Sequence, residues 1–132
     1  MSADLTAQLP EFFRGHQLAK IPDATTTAED DYSASHVRTE DIADAHIVLS
    51  EDPATGLHRP VLDIDFPAAL IPSSTPGHFH LYMDKPMGRP TYEALLVALA
   101  AAEVIEEGYA NVSIARGYTS ARLPWVKKRA KK

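Results

Sequence analysis

The sequence predicts an α+β fold: a small, mainly antiparallel sheet in the order β-β-β-α-β, with one main helix packed on one face and flexible termini. Three observations carry this expectation. Short apolar runs with two-residue alternation recur between turn residues in the first two-thirds of the chain. A single long Ala- and Leu-rich stretch follows them, and a β-branched run, NVSIAR, closes the pattern.

The first forty residues offer little to bury. Pro10 to Lys20 holds a short apolar cluster of Phe12, Phe13 and Leu18, and Ala24 to Ser35 is rich in Thr, Ser and acid. Residues 1–38 therefore read as an acidic, loosely structured segment, 39–124 as the compact domain, and 125–132 as a basic tail. Thr39-Glu40-Asp41-Ile42 can cap one helical turn. Ala45 to Ser50 (AHIVLS) reads as a strand, and Glu51 to Leu57 (EDPATGL) as a chain reversal. Pro60 to Phe66 (PVLDIDF) then reads as the second strand of a hairpin, with Pro67 and Pro72 bracketing a short apolar link. Ser73 to Gly77 (SSTPG) is a loop and Gly77 to Met83 (GHFHLYM) a third strand. Pro90 suits the first turn of a helix over Thr91 to Glu107, with Gly108 as its stop. Asn111 to Arg116 is expected as the fourth strand.

Composition narrows the chemistry. An apolar fraction of 45% and a charged fraction of 23% are those of a folded domain. There is no cysteine, which excludes disulfides, thiolate zinc centres and a cysteine nucleophile. No apolar run is long enough to span a bilayer, and Met1 to Phe13 lacks the basic-then-apolar pattern of a signal peptide, so a cytoplasmic protein without membrane partners is expected. The net charge of -5 hides an asymmetry. Residues 1–56 hold 11 acids and 3 bases, whereas 57–132 hold 7 acids and 10 bases. From Arg116 onward there are 7 basic residues and no acid. That end suits a polyanion, and a solvated, solubilising tail reads the same way.

Alternation along a strand puts Asp63 and Asp65 on one face of Pro60–Phe66, opposite Leu62, Ile64 and Phe66. In Gly77–Met83 it puts His78, His80 and Tyr82 opposite Phe79, Leu81 and Met83. If the two strands are neighbours and their apolar faces both meet the helix, the two carboxylates and two imidazoles share the other surface. Carboxylates two residues apart on a strand lie ~7 Å from each other, close enough to share Mg²⁺ or Mn²⁺. Imidazoles at the same spacing can chelate, steer phosphate or exchange protons. An amphipathic strand with a polar solvent face has the same pattern. Ser73 and Ser74 precede the His strand in a loop able to cradle phosphate, and Arg116 and Arg122 supply positive charge. The motifs G-x-x-x-x-G-K-[ST], G-x-G-x-x-G and G-x-S-x-G do not occur, which excludes those nucleotide and hydrolase sites.

Leu62-Asp63-Ile64-Asp65, followed by Ser73 to Tyr82 (SSTPGHFHLY), resembles the core of the archaeo-eukaryotic-type primases, the primase-polymerase superfamily. Arg122-Leu123-Pro124 is similar to an Arg-Leu-Pro segment that follows the core in phage and plasmid members. The likeness covers about residues 60–82 and a fragment near 122. It implies metal ligation by Asp63 and Asp65, and Ser74, His78 or His80 facing a triphosphate. The family's third acid has no counterpart, because no Asp or Glu lies between Gly108 and Lys132. A reduced or non-catalytic, phage-encoded relative is what the likeness then implies.

The sequence thus leaves two classes of function open. One is a nucleotide- or nucleic-acid-binding protein with a divalent-metal site. If it is an enzyme, it performs metal-dependent nucleotidyl or phosphoryl transfer, with Asp63, Asp65 and His80 catalytic and Ser73, Ser74, His78, Arg116 and Arg122 holding substrate. The other is a protein-interaction or regulatory factor that uses the apolar helix and the acidic N-terminal segment to engage a partner or a second copy.

Overall fold

A computed structural model describes residues 10–21 and 36–127. Most of the acidic stretch and the last five residues of the basic tail lie outside them. The chain divides into two units, Met1–Asp63 and Ile64–Lys132. Both combine short antiparallel strands with turns, and the second adds two helices, so the architecture is α+β.

The first unit is organised by β1 (Gln17–Lys20), the centre of a three-stranded sheet with β2 (Val37–Thr39) and β3 (Ile47–Leu49) on its flanks. Leu18 and Ala19, which point to opposite faces, are both buried, as a central strand requires. Ile21 is buried beside them, and its amide donates to Nδ1 of His46 at 2.8 Å. This strand comes from the stretch expected to be loosely structured. Its signal is weak because only four residues are involved and two of them are Gln and Lys. The capped turn expected after Thr39 forms: Thr39 Oγ1 accepts from the Asp41 amide, and Asp41 Oδ1 from the Ala43 amide. The expected reversal also forms, as a hairpin of β4 (Glu51–Asp52) and β5 (Leu57–His58). Asp52 Oδ1 accepts from the Ala54 amide, and Gly56 takes the left-handed conformation that closes the turn.

The second strand expected at Pro60–Phe66 is absent; residues 59–64 and 67 are irregular, and 65–66 form a bend. Proline at 60 and 67 removes ladder donors at both ends, and Val61 and Leu62 are exposed. The partner of the His-bearing strand is instead the run expected as a link. In the second unit β6 (Ala68–Pro72) pairs antiparallel with β7 (Phe79–Met83) through five residue pairs, from Ala68 opposite Met83 to Pro72 opposite Phe79. Pro72 is tolerated because it ends an edge strand.

Two helices complete this unit. The first, α1 (Arg89–Ala101), starts with Pro90 in its first turn, as expected. It stops earlier than Gly108. The Glu103 amide donates to the Ala100 carbonyl and the Val104 amide to the Leu99 carbonyl, with Glu103 at φ 60. This is a Schellman ending with glutamate in the position glycine usually holds. The chain then enters α2 (Glu107–Arg116), which packs on α1. The fourth strand expected at Asn111–Arg116 is therefore helix. The reason lies in Ala110 and Ser113, both buried. A spacing of three puts them on one face of a helix but on opposite faces of a strand, so folding back against α1 decides the conformation over β-propensity. Gly117, at φ 98, ends α2 and donates to the Ser113 carbonyl at 2.8 Å.

Candidate nucleic-acid interface

Gly117 turns the chain back along α2, and two side chains hold the returning segment. Tyr109 Oη donates to the Ser120 carbonyl at 3.2 Å. Arg116 Nε donates to the Tyr118 carbonyl at 2.8 Å, and its Nη2 to Ser120 Oγ at 3.0 Å. The same guanidinium lies 4.7 Å from the centre of the Tyr118 ring. Beyond Ser120 the chain makes one more turn, closed by the Val126 amide on the Leu123 carbonyl, with Pro124 and Trp125 at its tip.

Aromatic faces and cations alternate along this segment. Tyr118 is 59% exposed and Trp125 75% exposed, and Arg122 and Lys127 are exposed. Among the described residues neither Arg122 nor Lys127 has a carboxylate partner, since the three ion pairs formed are Arg14–Glu11, Arg38–Glu51 and Arg89–Glu93. The sequence continues with five more residues, four of them basic.

The residues singled out from the sequence fall in four places. Ser73, Ser74 and His78 share the loop joining β6 to β7. There the Ser73 amide donates to the His78 carbonyl, the His78 amide to the Thr75 carbonyl, and the Thr75 amide to Ser73 Oγ. Ser74 and Gly77 hold the loop amides without such an acceptor, Gly77 sits at φ 80, and His78 is exposed. His80 is half-buried on β7, its ring 6.4 Å from the Tyr82 ring in an edge-to-face arrangement. Asp63 and Asp65 are exposed in the irregular stretch before β6 and fall on either side of the boundary between the units. They are not presented on a pleated face, because the strand that would align them does not form. Among the described residues no group of three or more His, Asp or Glu is arranged to hold a metal ion. Arg116 is held by its own segment, and Arg122 is open to solvent.

Tyr118 and Trp125 were not among the residues expected to matter. Their signal was present: two aromatics spaced through a stretch of seven bases and no acid. Among the described residues no helix is long and apolar enough to cross a membrane. Comparison with family models, curated proteins and solved structures gave no match to this chain.

Proposed function

We propose that the protein binds single-stranded nucleic acid along Tyr118–Lys127 and the basic residues that follow. One observation carries this reading: exposed Tyr118 and Trp125 are interleaved with Arg116, Arg122 and Lys127 on a segment braced against α2. Aromatic platforms stack on any base, and cations beside them follow the phosphates, so recognition is of the strand rather than of its sequence. Bracing by Tyr109 and Arg116 lowers the ordering entropy lost on binding. The β6–β7 loop, with the Ser74 and Gly77 amides and the His78 imidazole, is a second element suited to phosphate. The resemblance of residues 60–82 to primase-polymerase cores agrees with a nucleic-acid partner.

Trp125 is the chain's one tryptophan, which makes the test direct. Titration with an unstructured oligonucleotide is expected to change its fluorescence. Affinity should fall as salt rises, with a slope of about 0.7 per phosphate neutralised. Trp125→Ala should cost about 1–3 kcal/mol, roughly five- to 150-fold in affinity. Binding that ignores salt and survives Trp125→Ala unchanged refutes the proposal.

A further inference from the structure

The β6–β7 hairpin is covered on the unexpected side. Alternation splits it into a face with Ala69, Ile71, His80 and Tyr82 and a face with Ala68, Leu70, Pro72, Phe79, Leu81 and Met83. Ile71, His80 and Tyr82 are half-buried, and the Tyr82 hydroxyl is fully buried with no hydrogen-bond partner. The wholly apolar face is open: Leu70 is 63% exposed, Phe79 55%, Leu81 57% and Met83 40%. The helix expected to cover it packs instead on α2.

We infer that this face is the dimer interface, and that its occupant is the same face of a second copy. Area is the first argument. Each of the four large side chains exposes on the order of 100 Å², so together they present roughly 400 Å² of apolar surface. A standard interface takes about 800 Å² from each partner, of which roughly 450–500 Å² is apolar. Ala68 and Pro72, also exposed, close most of the gap. Charge is the second argument, because none of the six face residues is ionisable, so a copy placed on the face meets no like charge and strands no buried ion. Shape is the third. A two-fold axis along the central Leu70–Leu81 pair sets Leu70 on Leu70 and Leu81 on Leu81, with Phe79 of one hairpin over Met83 of the other and Pro72 over Ala68, so the patch is complementary to itself. A two-stranded sheet is marginal alone, and face-to-face stacking on a twin supplies the missing layer.

Sedimentation of the full chain over a roughly hundredfold concentration range tests this by mass action. Twice the chain mass is expected at the upper end, and a monomer throughout overturns the inference, whether the face is then covered by the chain itself or left open. Leu81→Arg should give a monomer with an unchanged circular dichroism spectrum; a Leu81→Arg dimer overturns the assignment of the face. Should Leu81→Arg fail to fold, a nitroxide on Asp84→Cys, at the patch edge in a chain with no other cysteine, leaves the face intact. Measurable dipolar coupling between two copies supports the interface, and its absence overturns it.

Discussion

Replacing Gly117 by alanine probes how the helical pair is closed. Gly117 sits at φ 98, where an L-residue loses about 1–2 kcal/mol. A Cβ there would stand 3.2 Å from Arg89 Nη1. That guanidinium cannot retreat freely, since Nη2 donates to the Ile114 carbonyl at 2.9 Å and Nε to Glu93 Oε1 at 2.8 Å. It also brings positive charge to the C-terminal end of α2, where the helix dipole favours it by about 0.3–1 kcal/mol. Arg89 is 60% exposed, so its displacement should cost no more than about 1 kcal/mol. The stiffer unfolded chain returns about 0.5 kcal/mol. The net expectation for Gly117→Ala is a loss of about 2 kcal/mol. In an Arg89→Met background the contact is already gone, and the same change should cost about 1 kcal/mol less. Urea unfolding followed by circular dichroism reads both as midpoint shifts at constant m. A loss below about 0.5 kcal/mol, or additivity within about 0.3 kcal/mol, refutes the reasoning.

Two further substitutions should stabilise the pair. Glu103→Gly relieves the left-handed glutamate at the end of α1 and should raise stability by about 1 kcal/mol, read in the same urea assay; a loss would mean that Glu103 does more than turn the chain. Ser113 is fully buried and its hydroxyl has no partner, so Ser113→Ala should raise stability by about 1 kcal/mol in that assay, and a clear drop would point to a hydrogen bond made through that hydroxyl.

What could be read from the sequence followed the length over which each signal acts. The SSTPG loop, the β7 strand, the start of α1 and the turn at Pro53–Gly56 are written in a handful of adjacent residues, and all four form. The end of α1 was misplaced because its left-handed residue is Glu103, which carries none of the signal that Gly108 does. The helix at 107–116 was hidden because its cause, burial of Ala110 and Ser113 against α1, is tertiary, while Val112 and Ile114 suggested a strand. Pro60–Phe66 had a clean alternation and no partner, and alternation without a partner does not make a strand. The shared face expected for the four site residues rested on that strand. Ser73, Ser74 and His78 stay together because they are neighbours in the chain, whereas Asp63 and Asp65 depended on a strand pairing that β6 takes instead.

The β6–β7 hairpin shows where reading by period reaches its limit. Alternation divided Phe79, Leu81 and Met83 from His80 and Tyr82 correctly, since that division is a property of extended backbone alone. Which face turns inward is a property of everything else in the molecule, and the usual rule, apolar inside, gives the wrong answer within one copy of the chain. An exposed face of six uncharged residues beside a half-buried face bearing a histidine and a tyrosine is costly in water by the area argument, at about 25 cal/mol for each Å² left wet. At roughly 400 Å² the cost is about 10 kcal/mol, comparable to the whole stability of an ordinary domain. The proposed second copy would remove that cost by covering the face, and the tail proposed to hold nucleic acid through Trp125 and Arg122 would then be present twice in one particle. Two tails on one strand bind with an effective concentration set by their spacing. The two proposals therefore meet in one measurable quantity: Leu81→Arg, far in sequence from Tyr118–Lys127, should weaken binding to long oligonucleotides while leaving short ones unaffected. Equal loss on both lengths would show that the substitution harms the tail itself and that the two surfaces are not separate.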